Sequence, residues 1–311
     1  IWQTCLTGFY KPYEYSVTTD NSNNVITVGQ QLDYGNSTYQ TLLCKFDPTG
    51  NLLWQYALAN TNSEYGYGVT TDSGNNIIFT GQTHDINNNF NWYVSKHDSD
   101  GNRIWEKQIQ GQSINLGYSW GADVVVDEFD RVYAFGYAQS YGSETGLPAV
   151  IVAFDSNGNY NWNMGFGDYG CQYSLYGTSI SYDAGHLYVT AGVYSNIDPT
   201  SRIMVAKVNT ASQALVWMND LKDATGNNLP VYEYYNNSPD KPLAVRNGII
   251  AVGSYSTIDT NNQFRAVLLK APEDGSGLGM AGPFAWSRSR VPYLDRNLNV
   301  NDITLIVTSA N

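Results

Sequence analysis

Short apolar runs recur along the whole chain, and each is closed by Asn, Gly or Asp. The runs are rich in Val, Ile, Tyr, Phe and Thr, a pattern that predicts β-strands separated by tight turns. Glycine and asparagine punctuate almost every stretch of ten residues, which disfavours helix throughout.

The runs come in sets of four, and the sets repeat. Tyr65-Gly-Tyr-Gly-Val-Thr-Thr-Asp72 echoes Tyr13-Glu-Tyr-Ser-Val-Thr-Thr-Asp20, and Asn75-Asn-Ile-Ile-Phe-Thr-Gly81 echoes Asn23-Asn-Val-Ile-Thr-Val-Gly29. A third run follows in each copy, Thr41-Leu-Leu-Cys-Lys-Phe-Asp47 and Trp92-Tyr-Val-Ser-Lys-His-Asp98. A turn and a Trp-bearing fourth run close the copies at Trp54 and Trp105, and drifted copies end at Trp162, Trp217 and Trp286. The glycines ending the second run are Gly29, Gly81, Gly136, Gly192 and Gly253, spaced 52, 55, 56 and 61 residues apart. Four short strands in a period of that size predict an all-β fold, a β-propeller of four-stranded antiparallel blades.

The five units span about 13–58, 65–109, 118–166, 173–220 and 242–289 of a single domain covering 1–311. Within a unit, the small residues of the first strand suit the crowded innermost position, and the fourth-strand Trp suits the wedge that opens between blades. Ile1-Trp-Gln-Thr-Cys-Leu6 matches Leu53-Trp-Gln-Tyr-Ala-Leu58, so it reads as a fourth strand lacking its first three. Joined to 298–309, it would make a composite sixth blade that hides both terminal edges; five and seven blades are the alternatives. Because Ile1 falls inside a strand pattern, further residues are expected before it.

These repeats resemble the SBBP-type β-propeller repeat, most closely in the first two units. The resemblance implies the propeller fold. It also implies a bacterial surface or phage virion or tail module, placed outside the cell, on its surface or on a virion.

Composition narrows the function. The 16 basic and 28 acidic residues leave a net charge of −12, which opposes nucleic-acid binding. No apolar run is long enough for a membrane helix, so no membrane insertion is expected. Cys5, Cys44 and Cys171 are too scattered for a disulfide framework or zinc knuckle. No cofactor fingerprint appears, and none is expected.

Candidate chemistry is sparse. His97 and His186 occupy repeat positions and read as structural. Asp98, Asp100 and Asn102 imitate the start of a Ca²⁺ loop, but the matching turns at Asp47 and Asp155 carry a single carboxylate, which favours a turn. The Asp-x-x-Gly-x-x-x-Trp hairpin resembles the sialidase Asp-box with its spacings shifted by one residue, without the expected arginine per blade.

The longer connections, between the second and third strands and between units, share one face of the disc. That face supplies the binding candidates Tyr34, Tyr39, His84, Asp85, Phe90, Trp92, Tyr141, Tyr194, Tyr234 and Tyr235. Tyrosines beside Asn, Ser and Gly make adaptable recognition surfaces. The recurring Tyr13, Tyr65, Tyr67 and Tyr118 read as rim packing. The expectation is a non-enzymatic binding or structural module whose loop face meets a glycan, a protein partner or other subunits of a large assembly. A carbohydrate-active enzyme, glycosidase or lyase, and a docking scaffold are the alternatives.

Overall fold

The computed structural model describes residues 2–3, 12–59, 63–84, 89–111, 119–138, 149–167, 173–195, 202–223, 243–246, 249–257 and 264–276, and short strands at 279–281, 284–288, 293–294, 298–302 and 306–309. All regular elements among them are strands. The first sheet holds β1 (Tyr13–Thr19), β2 (Val25–Asp33), β3 (Thr38–Phe46) and β4 (Leu52–Ala59). The second holds β5 (Glu64–Thr71), β6 (Ile77–His84), β7 (Phe90–His97) and β8 (Arg103–Gly111). The third holds β9 (Ser119–Val126), β10 (Val132–Ala138), β11 (Ala149–Phe154) and β12 (Tyr160–Phe166). The fourth holds β13 (Tyr173–Asp183), β14 (His186–Ser195), β15 (Arg202–Asn209) and β16 (Ala214–Asp223). A fifth, three-stranded sheet holds β17 (Leu243–Arg246), β18 (Ile249–Thr257) and β19 (Phe264–Pro272). Each sheet is an antiparallel meander in chain order, and the first strands β1, β5, β9, β13 and β17 pack against one another in sequence. This arrangement fits a β-propeller with the first strands innermost.

The core lies between blades. Ile26, Val28, Leu43 and Leu58 of the first sheet meet Val69, Ile77, Phe79 and Tyr93 of the second. β10 is buried along its whole length, as a strand covered on both faces must be.

The tight turns are set by aspartates. Asp47 Oδ1 accepts from the backbone N–H of Thr49 and Asn51, and Oδ2 accepts from the Asn51 side chain. Asp20, Asp72, Asp98 and Asp155 are held in the same way. The Asn51 and Thr49 donors hold the Asp47 carboxyl well below the usual range. The Ca²⁺ candidate is therefore one of these turns: both Asp98 oxygens are occupied by donors from Asp100 and Asn102, and no metal-binding group exists among the described residues.

Two devices recur at the seams between blades. Fourth-strand tryptophans donate their indole N–H to the following blade's turn: Trp54 to Ser99 O (3.2 Å), Trp105 to Ser156 O (3.4 Å) and Trp217 to Glu273 O (3.0 Å). Trp2 does the same to Pro48 O (3.0 Å), so it occupies the place of a fourth-strand Trp before the first blade, as its sequence match predicts. Buried lysines form the second device. Lys45 Nζ lies 3.0 Å from Asp20 of its own blade and donates to Ser99 O of the next. Lys96 bonds Asp72 (2.8 Å) and Ser156 O in the same way.

The C-terminal strands depart from the expected closing blade. β20 (Gly279–Ala281) and β21 (Phe284–Arg288) extend the outer edge of the fourth sheet, so Trp286 does not complete the fifth. β22 (Tyr293–Leu294) pairs with β12, β23 (Leu298–Asp302) with β8, and β24 (Ile306–Ser309) with β4. Residues 298–309 thus add to the outer edges of the second and first sheets, and no composite blade forms among the described residues. The outer strand of each blade presents unpaired N–H and C=O groups, and pairing them with a fifth strand satisfies an open edge.

Candidate functional site

The innermost strands carry a shared irregularity. In the first three blades the register slips by one residue beside the second-strand glycine, and in the fourth it slips opposite Ala191 and Thr190, leaving Tyr15, Tyr67, Ala122 and Thr178 as bulged residues. A bulge re-aims the side chains around it. Here it brings rings from three blades into contact. Tyr13 stacks near Tyr15 (6.5 Å between centroids), Tyr15 meets Tyr67 (5.3 Å), and Tyr67 stacks on Trp120 (4.6 Å), which reaches Tyr137 (6.1 Å). From Tyr67 the cluster runs the other way through Tyr65 (6.2 Å) to Tyr39 (5.3 Å) and His84 (5.6 Å), and then to Phe90 (4.4 Å). Offset and tilted rings at these separations attract one another beyond their buried area.

Tyr67 and Tyr137 are buried behind this wall. Tyr13 is 53% exposed, and Tyr15, Tyr39, Tyr65, His84, Phe90 and Trp120 are half-buried. Burial pushes the Tyr15, Tyr65 and Tyr67 hydroxyls up, so they stay protonated at neutral pH. Glu14 lies between Tyr13 and Tyr15 in the chain, but its side chain turns to the blade's other face, toward Thr27 and Cys44, and keeps access to solvent. The protein around it desolvates its carboxyl and raises it to about 7, against a hydrogen bond from Thr27 that lowers it. On the adjacent blade, Glu64 is fully buried and accepts from Thr83 Oγ1 at 3.3 Å.

Of the sequence-derived candidates, the structure brings Tyr39, His84 and Phe90 together in this wall. Tyr34 stands apart on the β2–β3 turn, largely exposed. Trp92 is not on the loop face: it is fully buried, with its indole donating to Thr80 Oγ1 (2.7 Å) and its backbone N–H to Ser119 Oγ (2.9 Å). Its flanking residues point across the blade, and the ring fills the seam to the third blade. Asp85, Tyr141, Tyr234 and Tyr235, and the side chain of Tyr194, lie outside the described residues. Tyr13, Tyr65 and Tyr67 are on innermost strands, not at the rim: Tyr13 and Tyr65 keep contact with solvent, and Tyr67 is buried behind them. Tyr118 lies outside the described residues.

Sequence reasoning missed Trp120 and Glu14. The signal for Trp120 was present: it stands seven residues before the turn aspartate Asp127, as Tyr13 stands before Asp20 and Tyr65 before Asp72. Glu14 occupies a column where the second and third units have Gly66 and Gly121.

A Ser–His pair elsewhere is structural. His97 Nδ1 faces the Gly101 carbonyl at 2.9 Å, so it carries the proton, and Nε2 accepts from Ser95 Oγ at 2.9 Å. Both side chains are sealed from solvent, and burial lowers the imidazole to about 4.

No protein-family profile matches this chain, and neither does any curated protein. Among solved structures it is similar to a GH43 endo-arabinanase from Bacillus licheniformis, at 14% identity and a TM-score of 0.40, over 87% of this chain and 96% of that one. This neighbour is an enzyme, against the expected non-enzymatic module. That expectation also rested on the lack of a convergent catalytic set in the sequence, and Glu14 on the innermost strand is a solvent-accessible carboxyl raised to about 7 by desolvation. The non-enzymatic reading is therefore given up. A likeness this distant assigns no activity, and the functional reading rests on the wall itself.

Proposed function

We propose that the protein is a carbohydrate-active enzyme that cleaves glycosidic bonds at the mouth of the ring. The supporting observation is Glu14, an accessible glutamate on the innermost strand that also carries Tyr13 and Tyr15, with a carboxyl raised to about 7 by desolvation. Flat rings hold sugar faces, and a carboxylic acid still protonated near pH 7 can give its proton to a leaving glycosidic oxygen. Glycoside cleavage uses a second carboxylate. Glu64 is too buried for that part, and Asp85, next to His84 in sequence, takes it in this proposal. We further propose a ring of six blades built from SBBP-type repeats, with the Trp2 strand belonging to the closing blade; the Trp2–Pro48 bond supports this.

The test is release of reducing ends from a panel of polysaccharides by the purified chain and by Glu14→Gln and Asp85→Asn. Glu14→Gln should lower kcat at least 100-fold, the lower end of what a general acid contributes. The wild-type rate should fall as pH rises through about 7. No cleavage of any polymer, or an unimpaired Glu14→Gln enzyme, overturns the proposal.

A further inference from the structure

Charge is segregated along the ring axis. Lys45 and Lys96 are tied to the turn aspartates Asp20 and Asp72, and Lys207 to Glu273, all on the tight-turn face. Arg131 is bonded to Asp127 in another such turn, and Arg103 directly follows the Gly101 turn. Lys107 lies on an outermost strand. On the strands that bear the aromatic wall the ionisable side chains among the described residues are acidic or neutral: Asp33 at the end of β2 beside Gln40 (3.3 Å), Glu14 on the other face of its strand, and the fully buried Glu64. Uncharged hydrogen-bonding groups accompany the rings. Gln31 Nε2 donates to Gln40 Oε1 (2.9 Å), and Gln82 lies 3.2 Å from His84 Nε2.

We infer that the wall takes an uncharged glycan, stacked across Tyr13, Tyr15, Tyr65 and Trp120, and rejects uronate- or sulfate-bearing chains. The inference rests on the carbohydrate reading of the wall and deepens it. A polyanion arriving here meets Asp33 and no cation among the described residues, on a chain of net charge −12 whose paired cations sit on the opposite, tight-turn face. Repulsion of like charge in a partly desolvated site is the stronger discriminator, because every sugar presents similar apolar ring faces. Neutral hydroxyl groups instead match the glutamine amides and the tyrosine hydroxyls, which remain donors.

Affinity electrophoresis separates the possibilities. The chain is run through gels containing arabinan, galactomannan or mixed-linkage β-glucan as neutral probes, and polygalacturonate or dextran sulfate as acidic ones. At least one neutral polymer should retard it and neither acidic polymer should. Trp120→Ala and Tyr13→Ala should each weaken retardation about tenfold, the size of one lost stacking contact. Tyr34→Ala, away from the wall, should not change it, and circular dichroism confirms that each variant is folded. Retardation by acidic polymers, by no polymer at all, or undiminished in both wall variants overturns the inference. Running Glu14→Gln alongside keeps the two readings apart. Retardation by a neutral polymer without cleavage by the wild type refutes the enzyme and leaves the ligand class standing, whereas cleavage of an acidic polymer does the reverse.

Discussion

Removing one buried lysine tests whether the ring depends on its inter-blade struts. Lys96 Nζ lies 2.8 Å from Asp72 Oδ2, with the two side chains 6% and 2% exposed, and reaches across to Ser156 O at 3.0 Å. Lys96→Ala strands a buried carboxylate and an inter-blade carbonyl together. Breaking a buried pair from one side costs about 3–5 kcal/mol. Asp72 keeps its bonds from Gly74 N, Asn76 N and the Asn76 side chain, so the loss belongs at the lower end, about 3 kcal/mol. For a chain of this size that is a fall in Tm of roughly 4–5 °C. Burial raises the Asp72 carboxyl, but Lys96 and then Asn76 outweigh it and hold it below 3.8. A carboxyl lowered by folding stabilises above its unfolded value, so the difference between wild type and variant should shrink as pH falls below about 4.

The third blade supplies an internal control. Ala153 stands in the lysine column there, and Asp127 is served instead by Arg131 Nε (2.6 Å) and the Tyr133 hydroxyl (3.0 Å). Arg131 is four residues beyond Asp127, as Asn76 is beyond Asp72. Adding Asn76→Arg to Lys96→Ala should therefore restore about half of the lost stability, since the turn then carries its own cation. Urea unfolding of the wild type, the single and the double variant measures all three values. A loss below about 1 kcal/mol, the worth of an exposed pair, would refute the strut reading. So would a double variant no more stable than the single.

Two further outcomes follow from groups between blades. Glu106 is 3% exposed, neither of its oxygens has a hydrogen-bond partner among the described residues, and burial raises its carboxyl to about 8 despite Arg103 at 3.9 Å. A carboxyl raised by folding costs stability as pH climbs from its unfolded value of 4.5 to about 8, so Glu106→Gln should stabilise the protein by about 3 kcal/mol at pH 7, and the gain should vanish near pH 4 in thermal melts. Gly158 has φ of +83° and faces Trp105, whose Cδ2 would lie 2.7 Å from an added Cβ, so Gly158→Ala should cost at least about 1–3 kcal/mol in urea unfolding; an unchanged midpoint would show that the turn does not press on the ring.

The strands were legible because each repeats the same run of apolar residues, and the turns because Asp and Gly recur at fixed offsets. Trp2 could be placed for the same reason: its neighbours copy those of Trp54. The C-terminal strands were not legible, since edge pairing depends on which backbone groups are left open and not on side-chain pattern. The wall was half legible. Tyr39, His84 and Phe90 stand out as residues absent from the repeat. Tyr13, Tyr65 and Tyr67 were hidden by recurring, because repetition alone does not say whether a column packs the rim or lines the mouth. The bulge beside these columns is a one-residue slip in backbone pairing and leaves no apolar signature.

In the second blade a glycine, Gly68, directly follows the slip. A Cβ at Gly68 would stand 2.7 Å from Asp123 Cα, so only glycine lets the second and third blades approach this closely. The approach sets Tyr67 on Trp120 at 4.6 Å. It also removes a polar side chain that the other inner strands use: Ser16 Oγ accepts from Val69 N across the first seam, and Asp123 Oδ2 accepts from Ile180 N across the third. At the second seam Gly68 has nothing to offer, and Asp123 covers the gap by accepting from its own Val124 N (2.9 Å) with the other oxygen. A single aspartate thus serves two seams, and the glycine it compensates for is what holds the aromatic wall continuous from one blade to the next.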